Sequence, residues 1–191
     1  ERIIVCSKVC YEALITVNGS EVTYQKTREL PAINKRHCVL IQGLPKHGKV
    51  ETTIKYAAMI GVAEIILVPM KYSIAKQLPS HQKLTRYQMI AKEASELAHR
   101  DDIPTIKVIP KFEDIPITSQ TYLLDETTNK QPLDDKMSPV TLIVGPEGGI
   151  HEQERAFLLE KGVKQFSLGP LILSSEIAGI VGLSKFMHFD I

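Results

Sequence analysis

Val140-Thr141-Leu142-Ile143-Val144-Gly145-Pro146-Glu147-Gly148-Gly149-Ile150 is the stretch on which the fold turns. Five consecutive apolar or β-branched residues predict a strand buried on both faces, as in a parallel sheet. The turn that follows holds three glycines and a proline. Backbone can therefore approach a ligand closely at the strand's carboxyl end, where open α/β sheets bind their ligands. A tight strand-to-helix turn whose glycines merely supply positive φ has the same spacing, so the motif by itself leaves both readings open.

Outward from this stretch, strand and helix patterns alternate. Upstream, strands are expected over residues 37–41, 64–68, 106–109 and 121–124, and helices over 49–60, ended by Gly61, and 82–99. A helix or loop falls near Phe112. Downstream come a helix over 151–161, a short strand near 165–167 and a last helix over 175–189. Such alternation means βαβ crossovers, hence an α/β fold with a mostly parallel sheet. The segment 126–139, rich in Thr, Asn, Lys, Asp and Pro, reads as a surface loop. Before about residue 28 the pattern differs: apolar and polar residues alternate around Asn18-Gly19, the signature of a hairpin. A boundary is placed near residues 30–35, giving a small β unit over 1–33 and an α/β domain over 34–191.

The whole chain is compatible with that division. Its 191 residues suffice for one generous domain plus a fragment, and 43% hydrophobic with 24% charged residues excludes disorder as the main state. No apolar run approaches the roughly 20 residues of a membrane-spanning helix. A net charge of +1 gives no global attraction to polyanions, so any nucleic-acid binding must come from local clusters. Cys6, Cys10 and Cys38 fit neither a disulfide scaffold nor a structural zinc site, and a reducing cytoplasm is expected. No metal site is expected: His151-Glu152 opens like a zinc-protease motif, but Arg155 takes the second histidine position.

A second turn, Leu168-Gly169-Pro170-Leu171-Ile172-Leu173, precedes a helix that Ser174 or Ser175 can cap, with Glu176 in its first turn. Two such turns can flank one pocket. A rival site is Gly43-Leu44-Pro45-Lys46-His47-Gly48-Lys49, which matches a phosphate loop between strand and helix, with Leu124-Asp125-Glu126 ending a strand as a magnesium-binding strand would. Val50 replaces the metal-binding hydroxyl, however, and Pro45 removes a backbone donor. Nucleotide binding of the phosphate-loop kind therefore stands as the lesser alternative.

The two turn motifs, Leu142-Ile143-Val144-Gly145-Pro146-Glu147-Gly148-Gly149 and Leu168-Gly169-Pro170 with Ile172-Leu173, Glu176 and Ala178, resemble the signature of the RsmE-type 16S ribosomal RNA (uridine-N3) methyltransferases of the SPOUT superfamily. Upstream, Leu44-Pro45-Lys46, Lys55, Gly61-Val62-Ala63-Glu64-Ile65-Ile66, Ser73, Ile90-Ala91-Lys92-Glu93-Ala94, Glu96, Arg100 and Ile103-Pro104 follow in the family's order. The early β unit resembles the end of that family's PUA-like RNA-binding barrel, without its start.

The resemblance implies a C-terminal trefoil knot, S-adenosylmethionine bent into it, a homodimer, and 16S ribosomal RNA or the small subunit as partner. By position, Leu124, Gly145, Glu147, Gly148, Gly149, Leu168, Gly169 and Leu173 would line the cofactor. Glu176 is the catalytic candidate, and Lys49, Lys55 and Arg100 are the RNA-contact candidates. Four positions depart from the family: Tyr72, Asp102, Leu171 and Ser174 stand where arginine is usual. Lost arginines mean lost bidentate phosphate contacts, so a cofactor-binding homologue without RNA methylation is the second alternative.

Overall fold

The computed structural model describes residues 2–6, 9–31, 37–46, 48–75, 77–128 and 139–187. Most of the expected 30–35 boundary and of the 126–139 loop, together with His47, Lys76 and His188, lies outside them. Two sheets are formed. Strands β1 (Arg2–Cys6), β2 (Cys10–Asn18) and β3 (Glu21–Glu29) make an antiparallel meander. The α/β part runs β4 (Cys38–Gly43), α1 (Lys49–Met59), β5 (Glu64–Val68), α2 (His81–Leu97), β6 (Thr105–Val108), β7 (Thr121–Leu124), β8 (Val140–Val144), α3 (Glu152–Glu160), β9 (Lys164–Phe166) and α4 (Ser175–Ser184). Its six strands lie in the order β6-β5-β4-β8-β7-β9, and every pairing is parallel.

The continuous apolar runs of β4, β5 and β8 become the sheet's centre because both faces are covered. Leu40, Ile65, Leu67 and Leu142 meet α1, α2 and α4 through Ile54, Ala57, Ala91 and Leu183. Ile41, Ile66, Val68 and Ile143 face Leu158 of α3 together with Phe112 and Ile115. Gly182 lets α4 lie directly on the sheet: a Cβ there would come within 2.8 Å of Leu142 Cδ2. Helix α4 is shorter than the 175–189 its periodicity predicts, because the chain turns so that Phe186 enters an aromatic cluster with Tyr122 and Phe166, at ring separations of 4.9 and 5.5 Å. Helix α2 also ends before its predicted limit, with His99 in the left-handed region at φ 54°.

In the meander, Asn18 pairs with Glu21, so the hairpin loop is Gly19-Ser20, one residue beyond the Asn18-Gly19 centre predicted from sequence. Gly19 supplies the positive φ there. Cys6 and Cys10 are cross-strand partners joined by a disulfide, a pairing that the reading of the three cysteines as neither a disulfide scaffold nor a zinc site did not offer. It is a local clasp on one hairpin rather than a scaffold, and Cys38 is buried within β4.

Candidate active site

Strand β8, in the middle of the sheet, delivers its turn at the sheet's carboxyl edge, and the glycines there are dictated by space. A Cβ on Gly145 would stand 2.9 Å from Ile150 Cδ1 and 3.0 Å from the Gly149 carbonyl carbon. On Gly148 it would meet the Tyr72 Cβ at 2.8 Å. Gly149 closes the turn with φ 75°, its N–H donating to Pro146 O at 2.9 Å. Gln42, fully buried at the end of β4, donates from Nε2 to both Gly43 O and Gly145 O at 3.1 Å and so ties the turn to the sheet.

The second turn faces the first. Gly169 adopts φ 111°, and its N–H donates to Ser167 Oγ at 3.2 Å. Ser174 takes the N-cap position of α4, although its side chain makes no capping hydrogen bond. Between the two turns, at the carboxyl ends of β7, β8 and β9, opens a cavity of about 450 Å³. It gathers all eight residues expected around a cofactor: Leu124 from β7, Gly145, Glu147, Gly148 and Gly149 from the first turn, and Leu168, Gly169 and Leu173 from the second. Ser175 also lines it, buried and with its Oγ lacking a hydrogen-bond partner among the described residues. A buried hydroxyl without a partner is costly, and a bound ligand would relieve that cost.

At one side of the cavity Lys49, the first residue of α1, bridges two carboxylates. Its Nζ lies 3.5 Å from Glu147 Oε1 and 3.2 Å from Glu176 Oε2. The Glu176 carboxylate raises the lysine pKa most, desolvation opposes it, and Glu147 adds a lesser raising effect, so the ammonium is charged. Burial opposes ionisation of Glu176, but hydrogen bonding to its own backbone N–H, to Lys49 and to Ser174 outweighs it and holds its pKa below the ordinary carboxylate value. Glu176 is not among the residues lining the cavity; it stands against Lys49, next to the lining residue Ser175.

These contacts count against the phosphate-loop alternative. Gly43 still belongs to β4, where a Cβ would strike Pro146 and Met70 at 2.7 Å. The Lys46 N–H, which would face a phosphate, donates instead to both Glu147 oxygens at 3.0 and 3.2 Å. A protein carboxylate holds the anion position.

The RNA-contact candidates separate. Lys49 lines the cavity and Lys55 is exposed beside a groove between α1 and α2. Arg100 is corrected: its side chain is 3% exposed, and it donates to Ala58 O, to Val62 O and to both Asp102 oxygens. Those bonds saturate the carbonyls at the end of α1 and leave no donor face for RNA. Two of the positions where the family has arginine are also accounted for: Tyr72 packs over Gly148 and edge-on to His151, and Asp102 is the partner of Arg100. Leu171 and Ser174 lie at the cavity, with Leu171 79% exposed.

Sequence reasoning missed Gln42, Ser175 and Glu126 as site residues. Glu126 entered the sequence reading only as part of a magnesium-binding strand end in the phosphate-loop alternative, and it stands on the cavity wall. Among the described residues no cluster of three or more His, Cys, Asp or Glu side chains could hold a metal, and no helix is long and apolar enough to cross a membrane.

Residues 32–187 match the model of the RNA methyltransferase domain family. The chain is 27% identical to the ribosomal RNA small subunit methyltransferase E of Bacillus subtilis over 98% of its own length and 82% of the relative's. It is 27% identical to the protein of that name from Aquifex aeolicus, over 73% of this chain and 62% of the relative. Among solved structures it is similar to the Neisseria gonorrhoeae ribosomal RNA small subunit methyltransferase E bound to S-adenosyl methionine (TM-score 0.82, 22% identity, 96% of this chain and 81% of that one). A putative methyltransferase of Legionella pneumophila in complex with SAM is similar to the same degree (TM-score 0.83, 23% identity, 97% and 82%).

Proposed function

The chain belongs to the RNA methyltransferase domain family, and from that premise we propose that it transfers the methyl group of S-adenosylmethionine to N3 of a uridine in 16S ribosomal RNA, free or within the small subunit. The observation that carries this reading is the glycine-walled cavity between the two turns, with the unpartnered Ser175 hydroxyl facing it. Where Gly145, Gly148, Gly149 and Gly169 replace side chains, backbone amides and carbonyls can reach a nucleoside directly. Leu124, Leu168 and Leu173 supply apolar faces for a flat base.

When bound, S-adenosylmethionine supplies an electrophilic methyl on a sulfonium. The protein has two tasks: to hold N3 of the uracil in line with that methyl, and to dispose of the N3 proton. Glu176 is assigned the second: its ionised carboxylate, held against Lys49 at the cavity's edge, would take the N3 proton through an intervening water and pass it to solvent. Lys49 keeps Glu176 and Glu147 together despite their like charges, and its ammonium faces the negative charge that spreads onto the uracil oxygens as N3 loses its proton. Lys49 and Lys55 are the assigned RNA contacts.

The same reading takes residues 34–191 as a trefoil-knotted catalytic domain and residues 1–33 as part of a PUA-like barrel, in a cytoplasmic homodimer. Support for the dimer comes from large exposed apolar side chains on two helices packed together, Ile177 of α4 and Tyr56 and Met59 of α1.

Calorimetric titration with S-adenosylmethionine and with Mg-ATP, followed by methyl transfer to small subunits lacking N3-methyluridine, tests the reading. Binding of S-adenosylmethionine alone and appearance of N3-methyluridine are expected. Gly148→Val, which forces a side chain into Tyr72, is expected to abolish cofactor binding. Binding of Mg-ATP instead, or methylation at another atom, would overturn it.

A further inference from the structure

The strand-end pair Asp125-Glu126, read from sequence as a possible metal-binding end, is absorbed by neither the metal nor the methyl-transfer chemistry. The structure gives its two carboxylates different surroundings. Asp125 is fully buried. It accepts from Arg155 Nε and Nη2, from Gln165 Nε2 at 3.0 Å, and from the Thr127 N–H and hydroxyl at 3.0 and 2.8 Å, while its own N–H donates to Phe166 O. That carboxylate has no capacity left for a ligand. Its effect is to nail the turn after β7 to α3 and β9, and so to fix where the next residue points.

The next residue is Glu126, which lines the cavity. Its Oε1 stands 3.0 Å from where a Cβ would sit on Gly149, so the absence of a side chain there leaves room for the carboxylate over the turn. Glu126 thus closes the wall beside Leu124 and Gly149, at the end of the strand adjoining β8. The proton-handling group Lys49–Glu176 is carried by other elements, the starts of α1 and α4. In doubly wound sheets a carboxylate placed in this way beside a glycine turn accepts from the hydroxyls of a ribose. An ionised carboxylate has two oxygens to meet two vicinal hydroxyls.

We propose that Glu126 holds the ribose diol of the bound nucleoside, with Asp125 and Arg155 as positioning residues that aim it. The assignment rests on the cofactor reading given above. Recognition is of a vicinal diol, not of the sulfonium charge, so it extends to every ligand that carries the adenosine ribose.

Calorimetry on the full chain separates the outcomes. With wild type, Glu126→Gln and Glu126→Ala, three ligands are titrated: S-adenosylmethionine, S-adenosylhomocysteine, which lacks the charge, and methylthioadenosine, which also lacks the amino acid. Both variants are expected to weaken all three about tenfold to a hundredfold. On wild type, the 2′-deoxy and 3′-deoxy forms of S-adenosylhomocysteine are expected to lose a similar factor, and Glu126→Gln should lose little more on the deoxy forms. Thermal melting of each variant in the absence of ligand checks that it folds, and the deoxy series on wild type needs no variant at all. Weakening of S-adenosylmethionine alone would make Glu126 a sulfonium partner and overturn the diol assignment, as would unchanged affinity throughout. Wild type binding none of the three would overturn the cofactor reading itself.

Discussion

Removing the Arg100 guanidinium takes away the donors to Val62 O and one donor to Ala58 O, which keeps the Gly61 N–H, inside an otherwise apolar layer. Each buried acceptor left without a donor costs on the order of 1–3 kcal/mol. Arg100→Met is therefore expected to destabilise the fold by about 1–3 kcal/mol in chemical denaturation, with little change in the salt dependence of RNA binding. A stable variant with a shallower salt slope would return Arg100 to the RNA surface. At this scale the glycines were the readable part. Gly145, Gly148 and Gly149 announced a close approach, and each has a steric or φ reason. The roles of Arg100 and Glu126 were not readable, because a charge looks the same in sequence whether it is saturated by carbonyls from another segment or faces an open cavity.

Among the elements, the junction of β7, α3 and β9 depends on one buried ion pair, Asp125 with Arg155. Burial works against the Asp125 carboxylate, but Arg155 and the Thr127 N–H and hydroxyl more than offset it, so its pKa lies below the ordinary value. A carboxyl whose folded pKa is depressed contributes stability above its unfolded pKa of about 4 and loses it as pH falls through the lower folded value. Arg155→Met leaves a buried charge unpaired and is expected to cost about 3–5 kcal/mol at neutral pH. The gap in melting temperature between wild type and variant should close as the pH is lowered below about 4. A gap independent of pH would mean that Arg155 acts through packing. Helix limits tell a related story: α1 was legible to within a residue because Gly61 stops it, whereas α4 ends where Phe186 must turn into the cluster with Tyr122 and Phe166, a demand set by β7 and β9 rather than by local sequence.

For the molecule as a whole, the exposed apolar residues on α1 and α4 matter most. Ile177 is half exposed on α4, and Tyr56 and Met59 are exposed on α1; large exposed apolar side chains are what an interface would cover. Ile177→Glu is expected to convert a dimer to monomer in sedimentation velocity, with the melting temperature nearly unchanged. A wild type that sediments as a monomer would remove the dimer. What the sequence determined by itself is the α/β class, the order of strands and helices, and the two glycine turns at the site. These follow from short-range periodicity and from backbone conformations that only certain residues adopt. What only the tertiary structure decided is the pairing of charges: Lys49 with Glu147 and Glu176, Arg100 with carbonyls of α1, Asp125 with Arg155, and Glu126 left facing the cavity. The partners are 30 residues apart for Asp125 and Arg155 and 127 apart for Lys49 and Glu176. Electrostatic interactions depend on distance in space and on burial, and neither is fixed until the sheet has brought those segments together.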